Sequence, residues 1–557
     1  MLCRLEGTTF KVIGQNDNRV EISFSKTWNP STDPHGLPLN YDKRYIMLRG
    51  SSGFYTYAIF EQLPGWPALH MEEARITFKL EPKLFTYMAI SDDKQRTMPN
   101  HHDFESGKRL AYGEAKLLTN PEDKSLKGQV DDKYQYSMDN KDSFVHGWVS
   151  SGPRTGFWII TPSNEFRSGG PMKADLTSHS GPTALSIFFS GHYAGPDMGI
   201  DTKNGEPWKK VFGPVFIYLN SNSDKDPRTL WNDAKRQMVE ETKKWPYDFP
   251  LSRDLLRANQ RGTVTGRLMV NDRYINKGNL PAKSAYIGLA PPGEVGSWQT
   301  DSKGYQFWTT TNEDGSFSIS NIGPGIYNVY AWVPGVIGDY KYEKNIEIKS
   351  GSNMALGDLA YIPPRSGPTI WEIGISDRTA AEFFIPDPAP GFIYTNLNDK
   401  YRQYGLWDRY TDLYPKDDLV YTVGKSDYRK DWFFAHVNRK VGNKTYVPTT
   451  WQIKFPLANI RGTYTLRIAL ASATYAQLQV WINDPHAMYP IFKTDRFIGR
   501  DNAIARHGIH GLYWLYQVDL PASSLVNGIN TLYFKQTVGG SFNGVMYDYI
   551  RLEGPPS

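Results

Sequence analysis

The chain has 557 residues, a formal net charge of +5 and one cysteine, Cys3. That length is too great for one hydrophobic core, so we expect two to four domains. One cysteine excludes an intrachain disulfide framework, and no Cys/His cluster offers a zinc site. No Lys/Arg-rich run marks a nucleic-acid partner, and no apolar stretch approaches the length of a membrane-spanning helix.

The composition favours β-structure. Aromatic residues make up 14% of the chain, with 35 Tyr and 16 Trp, and Gly and Pro are plentiful while helical periodicity is scarce. Flat aromatic rings also suit contact with sugars, although packing inside β-sandwich cores is the default interpretation for most of them.

The chain opens in an alternating strand pattern, Phe10 to Ser25, with no apolar run typical of a secretory signal before it. Further strand-like segments follow as far as about residue 220, separated by Gly, Asn, Asp and Pro turns. They include RYIMLRG, FYTYAIFEQL, RITFKL, GFWIITP, TALSIFFSGHY and VFGPVFIYLN. We therefore predict a large antiparallel sandwich.

One helix is predicted after this sandwich. Asp226-Pro227 is typical of a helix start, and residues 229–245 place Leu230, Ala234, Met238 and Val239 along one face. We expect this helix to pack against the sandwich or to bridge to the next domain.

Two further units are predicted. A boundary near residues 255–262 precedes a compact unit that ends around Tyr361, and residues 313–335 show the strand and Gly/Pro-turn rhythm of a small sandwich that we expect to hold its two larger neighbours in place. Pro363-Pro364 indicates a linker. The last region, 370–552, closes with LPASSLVNGINTLYFKQ and GVMYDYIRLEG, in which the NG pair predicts a turn before a strand.

The segments with the most chemical potential lie in the first unit. They are EARITFKL (73–80), DDKYQYS (131–137), VHGW (145–148), TPSNEFRSGGPMKADLTSH (161–179) and FFSGHYAG (188–195). Together they resemble the catalytic domain of plant-type rhamnogalacturonan lyases of polysaccharide lyase family 4, and the order of three units agrees with that family across nearly the whole chain.

The resemblance implies an all-β multidomain fold. It assigns a large galactose-mutarotase-like β-sandwich to residues 1–258, a fibronectin-III-like domain to 259–364 and a galactose-binding-like jelly roll, as in carbohydrate-binding modules, to 365–557. Family members usually carry a signal peptide and further N-terminal strands, so we interpret the chain as N-terminally shortened. An extracellular or cell-wall location is implied by the family alone.

The resemblance also implies a function. A rhamnogalacturonan endolyase cleaves the bond between rhamnose and galacturonic acid in the pectin backbone by β-elimination, with a pectic polysaccharide as partner; we expect a monomer without a cofactor. The alternative is an inactive carbohydrate-binding or wall-associated homologue, because Leu185 and Ile187 stand where fungal members have two tyrosines.

β-Elimination needs a base for the proton at C5, a cation beside the uronate carboxylate and an acid for the departing oxygen. By resemblance, Arg75 is the carboxylate partner and Lys133 the base. His192 of the Ser-Gly-His motif is the acid, or shares the base role; the roles of Lys133 and His192 are open to reversal. The resemblance places Lys133 in a short strand, where Asp132 would point away from it and Asp131 would share its face. The negative charge of Asp131 would then be in tension with the base role of Lys133.

Other side chains are candidate substrate contacts. They are Tyr134, Tyr136 and Tyr193 as sources of a phenol, and Lys173 and His179 beside the Gly-Gly-Pro turn (169–171) and Asp175. His146 is either close to the site or a buried imidazole of an aromatic strand. No run of Asp and Glu has calcium-loop spacing and no local carboxyl pair indicates a glycosidase, so we expect no metal.

Overall fold

The computed structural model describes residues 5–110, 114–152, 154–224, 226–386, 405–443, 445–506 and 508–556. Cys3 lies outside the described residues. Most of the regular secondary structure of the described chain is β-strand, which confirms the predicted all-β multidomain fold. Within these ranges no helix has the length and apolar character needed to cross a membrane.

The first unit contains a large sheet, several small ones and two α-helices. Its strands are β1 (Thr9–Asn16), β2 (Arg19–Lys26), β3 (Asn40–Leu48), β4 (Gly53–Gln62), β5 (His70–Met71), β6 (Ala74–Lys79), β7 (Phe85–Ala89), β8 (Gln95–Thr97), β9 (Lys108–Arg109), β10 (Ala115–Leu117), β11 (Val130–Asp132), β12 (Ser137–Asp139), β13 (Val145–Ser150), β14 (Thr155–Ile160), β15 (Ala174–Leu176), β16 (Ser178–His179), β17 (Thr183–Phe189), β18 (Ile200–Asp201) and β19 (Trp208–Ser221). Its helices are α1 (His101–Ser106) and α2 (Pro227–Lys244).

The large sheet has nine strands in the order β1-β2-β3-β4-β19-β14-β13-β7-β8. Every neighbouring pair is antiparallel, as predicted. Helix α2 covers one face, where the rings of Trp231 and Trp158 lie 5.6 Å apart. The sheet β16-β17-β6 contributes to the core on the other face, where the rings of Phe188 and Phe212 stack 5.0 Å apart. The sandwich therefore has two hydrophobic cores, one on each side of the large sheet.

Helix α2 begins where the sequence predicts. The Asp226 side chain accepts a hydrogen bond from the amide of Arg228 and Pro227 occupies the first turn. Leu230 and Ala234 are buried, but Val239 is 44% exposed, so its predicted place on the buried face is wrong. Nine residues after Leu230, at about 100° per residue, Val239 lies on the opposite side of the helix.

Strand β17 is buried along its whole length because both of its faces are covered. Phe188 faces the core of the first unit, whereas Leu185 and Ile187 belong to a cluster that continues into the core of the third unit. A strand with one face in solvent alternates apolar and polar residues. A strand that is buried on both faces has a continuous apolar run instead. The third unit therefore packs directly against the strand that leads to the Ser-Gly-His motif.

The second unit is a small sandwich that contacts both neighbours. Its strands are β20 (Gly262–Val270), β21 (Leu280–Pro281), β22 (Tyr286–Ala290), β23 (Phe307–Thr310), β24 (Ser316–Ile322), β25 (Gly325–Trp332), β26 (Tyr340–Lys341), β27 (Ile346–Ile348) and β28 (Asn353–Tyr361). A buried Arg261–Glu165 ion pair of 2.9 Å joins it to the first unit. Asp339 pairs with Arg378 of the third unit at 2.7 Å, so the second unit forms an ion pair with each neighbour.

The third unit is a sandwich of two sheets with most of its core between them. Its strands are β29 (Thr369–Gly374), β30 (Val420–Thr422), β31 (His436–Val437), β32 (Arg439–Lys440), β33 (Tyr446–Val447), β34 (Thr449–Leu457), β35 (Thr463–Ala476), β36 (Leu478–Ile482), β37 (Phe492–Lys493), β38 (Ile498–Arg500), β39 (Trp514–Pro521), β40 (Gly528–Gln536) and β41 (Gly544–Glu553). Its short helices are α3 (Tyr410–Leu413) and α4 (Tyr428–Asp431).

The predicted linker after Pro363-Pro364 is anchored at its centre. The Arg365 guanidinium is buried and lies 2.6 Å from the Asp272 carboxylate, and the Ser366 amide donates to Glu553. Helix α2 ends before residue 258 and β20 begins after it, and residue 364 lies between β28 and β29. The domain bounds at 258/259 and 364/365 stay predictions. The ion pair ties the segment to the second unit, and the hydrogen bond ties it to the third.

Candidate active site

Lys133 begins a 3₁₀ turn, Lys133–Tyr136, and does not lie in the strand that was predicted. Strand β11 ends at Asp132, whose side chain caps this turn by accepting a hydrogen bond from the Tyr134 amide at 3.1 Å. Burial raises the pKa of Asp132 to about 7. Strand alternation therefore does not apply across this segment.

The predicted tension between Asp131 and Lys133 is absent from their contacts. Asp131 is buried and accepts hydrogen bonds from the Tyr136 hydroxyl, at 2.6 Å, and from the Ser180 hydroxyl. The Lys133 ammonium instead forms an ion pair with Glu114, and the Lys133 side chain is 24% exposed. Lys133 is thus a partly accessible cation at the edge of a buried polar cluster.

The ring of Tyr134 is the centre of the site. The Lys133 Nζ lies 5.2 Å from its centroid and the Arg506 Cζ lies 4.5 Å from it, both within the range of cation–π attraction. The rings of His192 and Tyr193 meet it edge to face, with centroids 5.7 and 5.9 Å away. One buried phenol ring therefore brings together two cations and an imidazole.

His192 is held by two carboxylates. Its Nδ1 lies 3.3 Å from Asp175 Oδ1 and its Nε2 lies 3.8 Å from Glu73 Oε2. Burial lowers the pKa of His192, although both carboxylates act against the shift. A neutral imidazole that donates from Nδ1 to Asp175 carries its lone pair on Nε2, the atom directed towards Glu73.

Asp175 is supported from behind by Lys173. Their charged atoms lie 3.0 Å apart, and the Ser190 hydroxyl donates to Asp175 while the Ser190 oxygen also accepts the His192 amide. Burial alone would raise the pKa of Asp175, but Lys173 and His192 lower it by more. The Lys173 side chain is only 2% exposed, and burial lowers its pKa. Lys173 is therefore an interior ion-pair partner of Asp175, and its contact with substrate stays a prediction.

Arg75 lies on β6 and His179 on β16, the two strands that flank β17 in one sheet. Arg75 Nη1 is 2.7 Å from Glu73 Oε1, and its side chain is about a quarter exposed. His179 Nδ1 contacts the Ser180 carbonyl at 3.0 Å. Burial lowers the pKa of His179, and Lys133 and Arg75 lower it further. Both cations are close enough to His179 to lower its pKa, so Arg75, Lys133 and His179 form one cluster.

The three tyrosines predicted to contact substrate are all buried. The Tyr136 hydroxyl donates to Asp131, and the Tyr193 hydroxyl contacts Ser137 and the Tyr134 carbonyl at 2.7 and 2.9 Å. Their partners are thus interior protein groups, and their contact with a sugar stays a prediction.

The Gly-Gly-Pro turn lies between the first and second units. Gly169 and Gly170 both have positive φ, 76° and 69°, and a Cβ on Gly170 would lie 2.7 Å from the Trp298 ring. The turn therefore needs glycine for its backbone and for the approach of the second unit, and it leads the chain into Lys173 and β15.

His146 is a buried structural imidazole, one of the two interpretations that its sequence allowed. Its Nε2 lies 2.7 Å from the Leu185 carbonyl, and burial lowers the pKa of His146 to about 3. The side chain therefore stays neutral in the folded protein at any pH near neutrality.

This burial predicts a pH-dependent stability. Since the pKa of His146 is about 3 in the folded state and about 6.5 in the unfolded state, its stability contribution is complete above pH 6.5 and is lost as the pH falls towards 3. Between pH 7 and 5, the loss is about 2 kcal/mol. In urea unfolding, His146→Gln is expected to lose that much less than the wild type over this interval. The exposed-residue control His486→Gln should follow the wild type, and parallel wild-type and His146→Gln curves would contradict the assignment.

Some residues of the site were not singled out from the sequence. Glu114 lies outside the quoted segments and Arg506 lies more than 300 residues beyond His192, so neither carried a local signal. Ser190 belongs to the Ser-Gly-His motif, which was the available signal for it. In the part of the chain that the structure describes, no group of three His, Cys, Asp or Glu side chains could hold a metal ion.

Comparison with known proteins agrees with this architecture. Residues 2–130 match the family model for the rhamnogalacturonate lyase family, and residues 282–356 and 369–552 match polysaccharide lyase family 4, domains II and III. The protein is thus a polysaccharide lyase by class. The chain belongs to the rhamnogalacturonate lyase family.

Similar curated proteins carry the same family name. The rhamnogalacturonate lyase of Dickeya dadantii (strain 3937) is 28% identical over 98% of this chain and 83% of its own length. Rhamnogalacturonate lyase B of Emericella nidulans is 25% identical over 92% of this chain and 82% of its own length. The probable rhamnogalacturonate lyase B of Aspergillus niger is 25% identical over 78% and 62%.

Proposed function

We propose that the protein is a rhamnogalacturonan endolyase that cleaves the bond between rhamnose and galacturonic acid by β-elimination. The observation that carries the proposal is the convergence of His192, Lys133 and Arg506 on the Tyr134 ring, with Arg75 beside them through Glu73. The names of the curated relatives support the choice of substrate.

His192 is the better base of the two candidates. Burial lowers its pKa, so that the imidazole is neutral near pH 7, and Asp175 holds Nδ1 so that the lone pair lies on Nε2. Nε2 removes the proton at C5 of the galacturonate. The electron pair of the broken C5–H bond forms the C4–C5 double bond as the C4–O bond breaks.

Lys133 is the better acid. Its ammonium is partly exposed and carries the proton that the departing rhamnose oxygen requires. Arg75 supplies positive charge for the uronate carboxylate, which stabilises the carbanion character at C5, and a guanidinium can hold a carboxylate through two hydrogen bonds. This assignment reverses the base and acid roles that the resemblance first implied.

The substrate proposed here is a pectic polysaccharide, and an extracellular or cell-wall location follows from that choice. We propose a monomer that needs no metal, because arginine and lysine supply the charge that calcium provides in other lyases. Tyr134, Tyr136, Tyr193 and His179 border the reacting groups, and we assign them to the shape and polarity of the site.

The test is the ultraviolet absorbance of the unsaturated uronate during incubation with de-esterified rhamnogalacturonan, with and without EDTA. The expected result is a rise at the same rate in both samples. A rise abolished by EDTA would contradict the metal-independent mechanism.

One observation favours an inactive homologue. Leu185 and Ile187 are aliphatic, so these positions provide no phenol to the site. Both side chains are also fully or almost fully buried. Binding of the polysaccharide by a folded sample, without any double-bond product, would establish that alternative.

A further inference from the structure

We propose that Glu73 competes with the galacturonate carboxylate for Arg75, and that substrate binding displaces the Glu73 side chain from between Arg75 and His192. This inference rests on the proposed function and deepens it. It gives a role to a glutamate that neither the sequence nor the family resemblance had assigned one.

The two oxygens of the Glu73 carboxylate face the two groups that the reaction needs. Oε1 lies 2.7 Å from Arg75 Nη1, and Oε2 lies 3.8 Å from His192 Nε2. In the proposed reaction, Arg75 pairs with an oxygen of the uronate carboxylate, and Nε2 takes the proton from C5, the carbon bonded to that carboxylate. A carboxylate of the protein therefore lies where the substrate must bind.

The part of the substrate that must enter this space matches the Glu73 carboxylate in its connectivity. In the glutamate, Oε1 and Oε2 are joined through one carbon atom, Cδ. In the galacturonate, the carboxylate oxygen and C5 are also joined through one carbon atom, C6. A uronate that pairs with Arg75 and presents C5 to His192 therefore overlaps Glu73, and the two cannot occupy the site together.

The contacts of Glu73 allow it to leave. Its side chain is 28% exposed, and the residue precedes β6 and does not lie within it. Among the described residues, its ion-pair partners are Arg75 and His192. An ion pair between side chains that both reach solvent contributes little to stability, so a substrate carboxylate can replace Glu73 on Arg75 at small cost.

Asp175, the other carboxylate beside His192, is fixed. It is buried, its carboxylate lies 3.0 Å from the Lys173 ammonium, and it accepts a hydrogen bond from the Ser190 hydroxyl. The imidazole therefore keeps its partner at Nδ1 when the carboxylate at Nε2 leaves. The ring retains its orientation while the Nε2 lone pair becomes accessible to the C5 proton.

The first test is Glu73→Gln, which keeps the shape of the side chain and removes its charge. KM for acidic rhamnogalacturonan oligosaccharides is expected to fall about 2- to 5-fold, the value of a partly exposed ion pair, while kcat is retained. The matched control is Glu72→Gln, which removes the charge of the neighbouring exposed glutamate and should leave KM unchanged. Melting temperatures check that both variants fold.

The second test uses the pH profiles. Around His192 lie Asp175, Glu73, Arg506 and the ring of Tyr134. Burial is the main cause of the lowered pKa of His192, and Asp175 and Glu73 raise that pKa while Arg506 lowers it. Since kcat/KM reports the protein before substrate binds and kcat reports the complex, Glu73→Gln is expected to move the acid limb of kcat/KM to lower pH and to leave that of kcat in place.

A higher KM or a large fall in kcat for Glu73→Gln would show that Glu73 supports the site and does not compete with the substrate. A shift of both acid limbs would show that Glu73 stays beside His192 in the complex, and would overturn the proposal. An unchanged KM or an unmoved acid limb of kcat/KM would overturn it as well.

The proposed function can fail separately from this proposal. If the wild type forms no unsaturated product, the lyase assignment fails, and calorimetry with the same oligosaccharides decides whether Glu73 is displaced. Tighter binding to Glu73→Gln than to the wild type and Glu72→Gln would support displacement, and equal binding to all three proteins would overturn it.

Discussion

Replacing His192 by alanine is expected to reduce kcat about 100- to 10,000-fold while the fold is retained, because removal of a general base costs that much. The imidazole contacts Asp175 and Glu73 and is neutral through burial, so alanine removes the Nε2 lone pair that we assign to the C5 proton. The measurement is the rate of double-bond formation at saturating substrate, with circular dichroism as the check of folding.

Asp175→Asn tests how much the positioning of His192 contributes, apart from the removal of the proton by its imidazole. The amide retains the shape of the side chain but removes the carboxylate that holds Nδ1. We expect a smaller fall in kcat than for His192→Ala and an acid limb of the pH–rate profile at lower pH, since Asp175 raises the pKa of His192. His486→Ala, an exposed histidine of the third domain, is the control that should retain full activity. Full activity of His192→Ala would eliminate it as the base.

Replacing Lys133 is expected to have the second large effect. Lys133→Ala removes the proposed acid, and kcat should fall about 100- to 10,000-fold on the natural substrate, in which the departing group is a sugar alkoxide. Lys133→Arg keeps the positive charge beside Tyr134, but a guanidinium does not release its proton near neutral pH. We therefore expect Lys133→Arg to restore substrate affinity without restoring kcat.

A leaving group that needs no proton provides the internal check. With a synthetic galacturonate whose C4 substituent departs as a stabilised anion, Lys133→Ala should lose far less activity than on rhamnogalacturonan. Lys209→Ala, which removes a lysine with similar surface ion pairs to Glu61 and Asp254, is the matched control and should behave as the wild type. Equal losses on both leaving groups would show that Lys133 acts through charge and not through proton donation.

Some of the site was predictable and some was not, for reasons that particular residues show. His192 follows a strand and lies in a glycine-flanked motif, so its neighbourhood was evident from the sequence. The strand predicted through Lys133 was wrong because Asp132 caps a 3₁₀ turn with its side chain. Aspartate is a frequent cap, but the local pattern does not reveal whether its side chain or the strand ladder will bind the next amide.

By itself, the sequence determined the β-rich domains, the start of helix α2 and the segments that resemble a lyase site, because alternation, capping and turn residues act over a few positions. Only the tertiary structure decided that Lys173 lies behind Asp175 and that Arg506 reaches Tyr134. These outcomes depend on how separate cores pack against β17, and that packing brings together residues whose separation in the sequence carries no local signal.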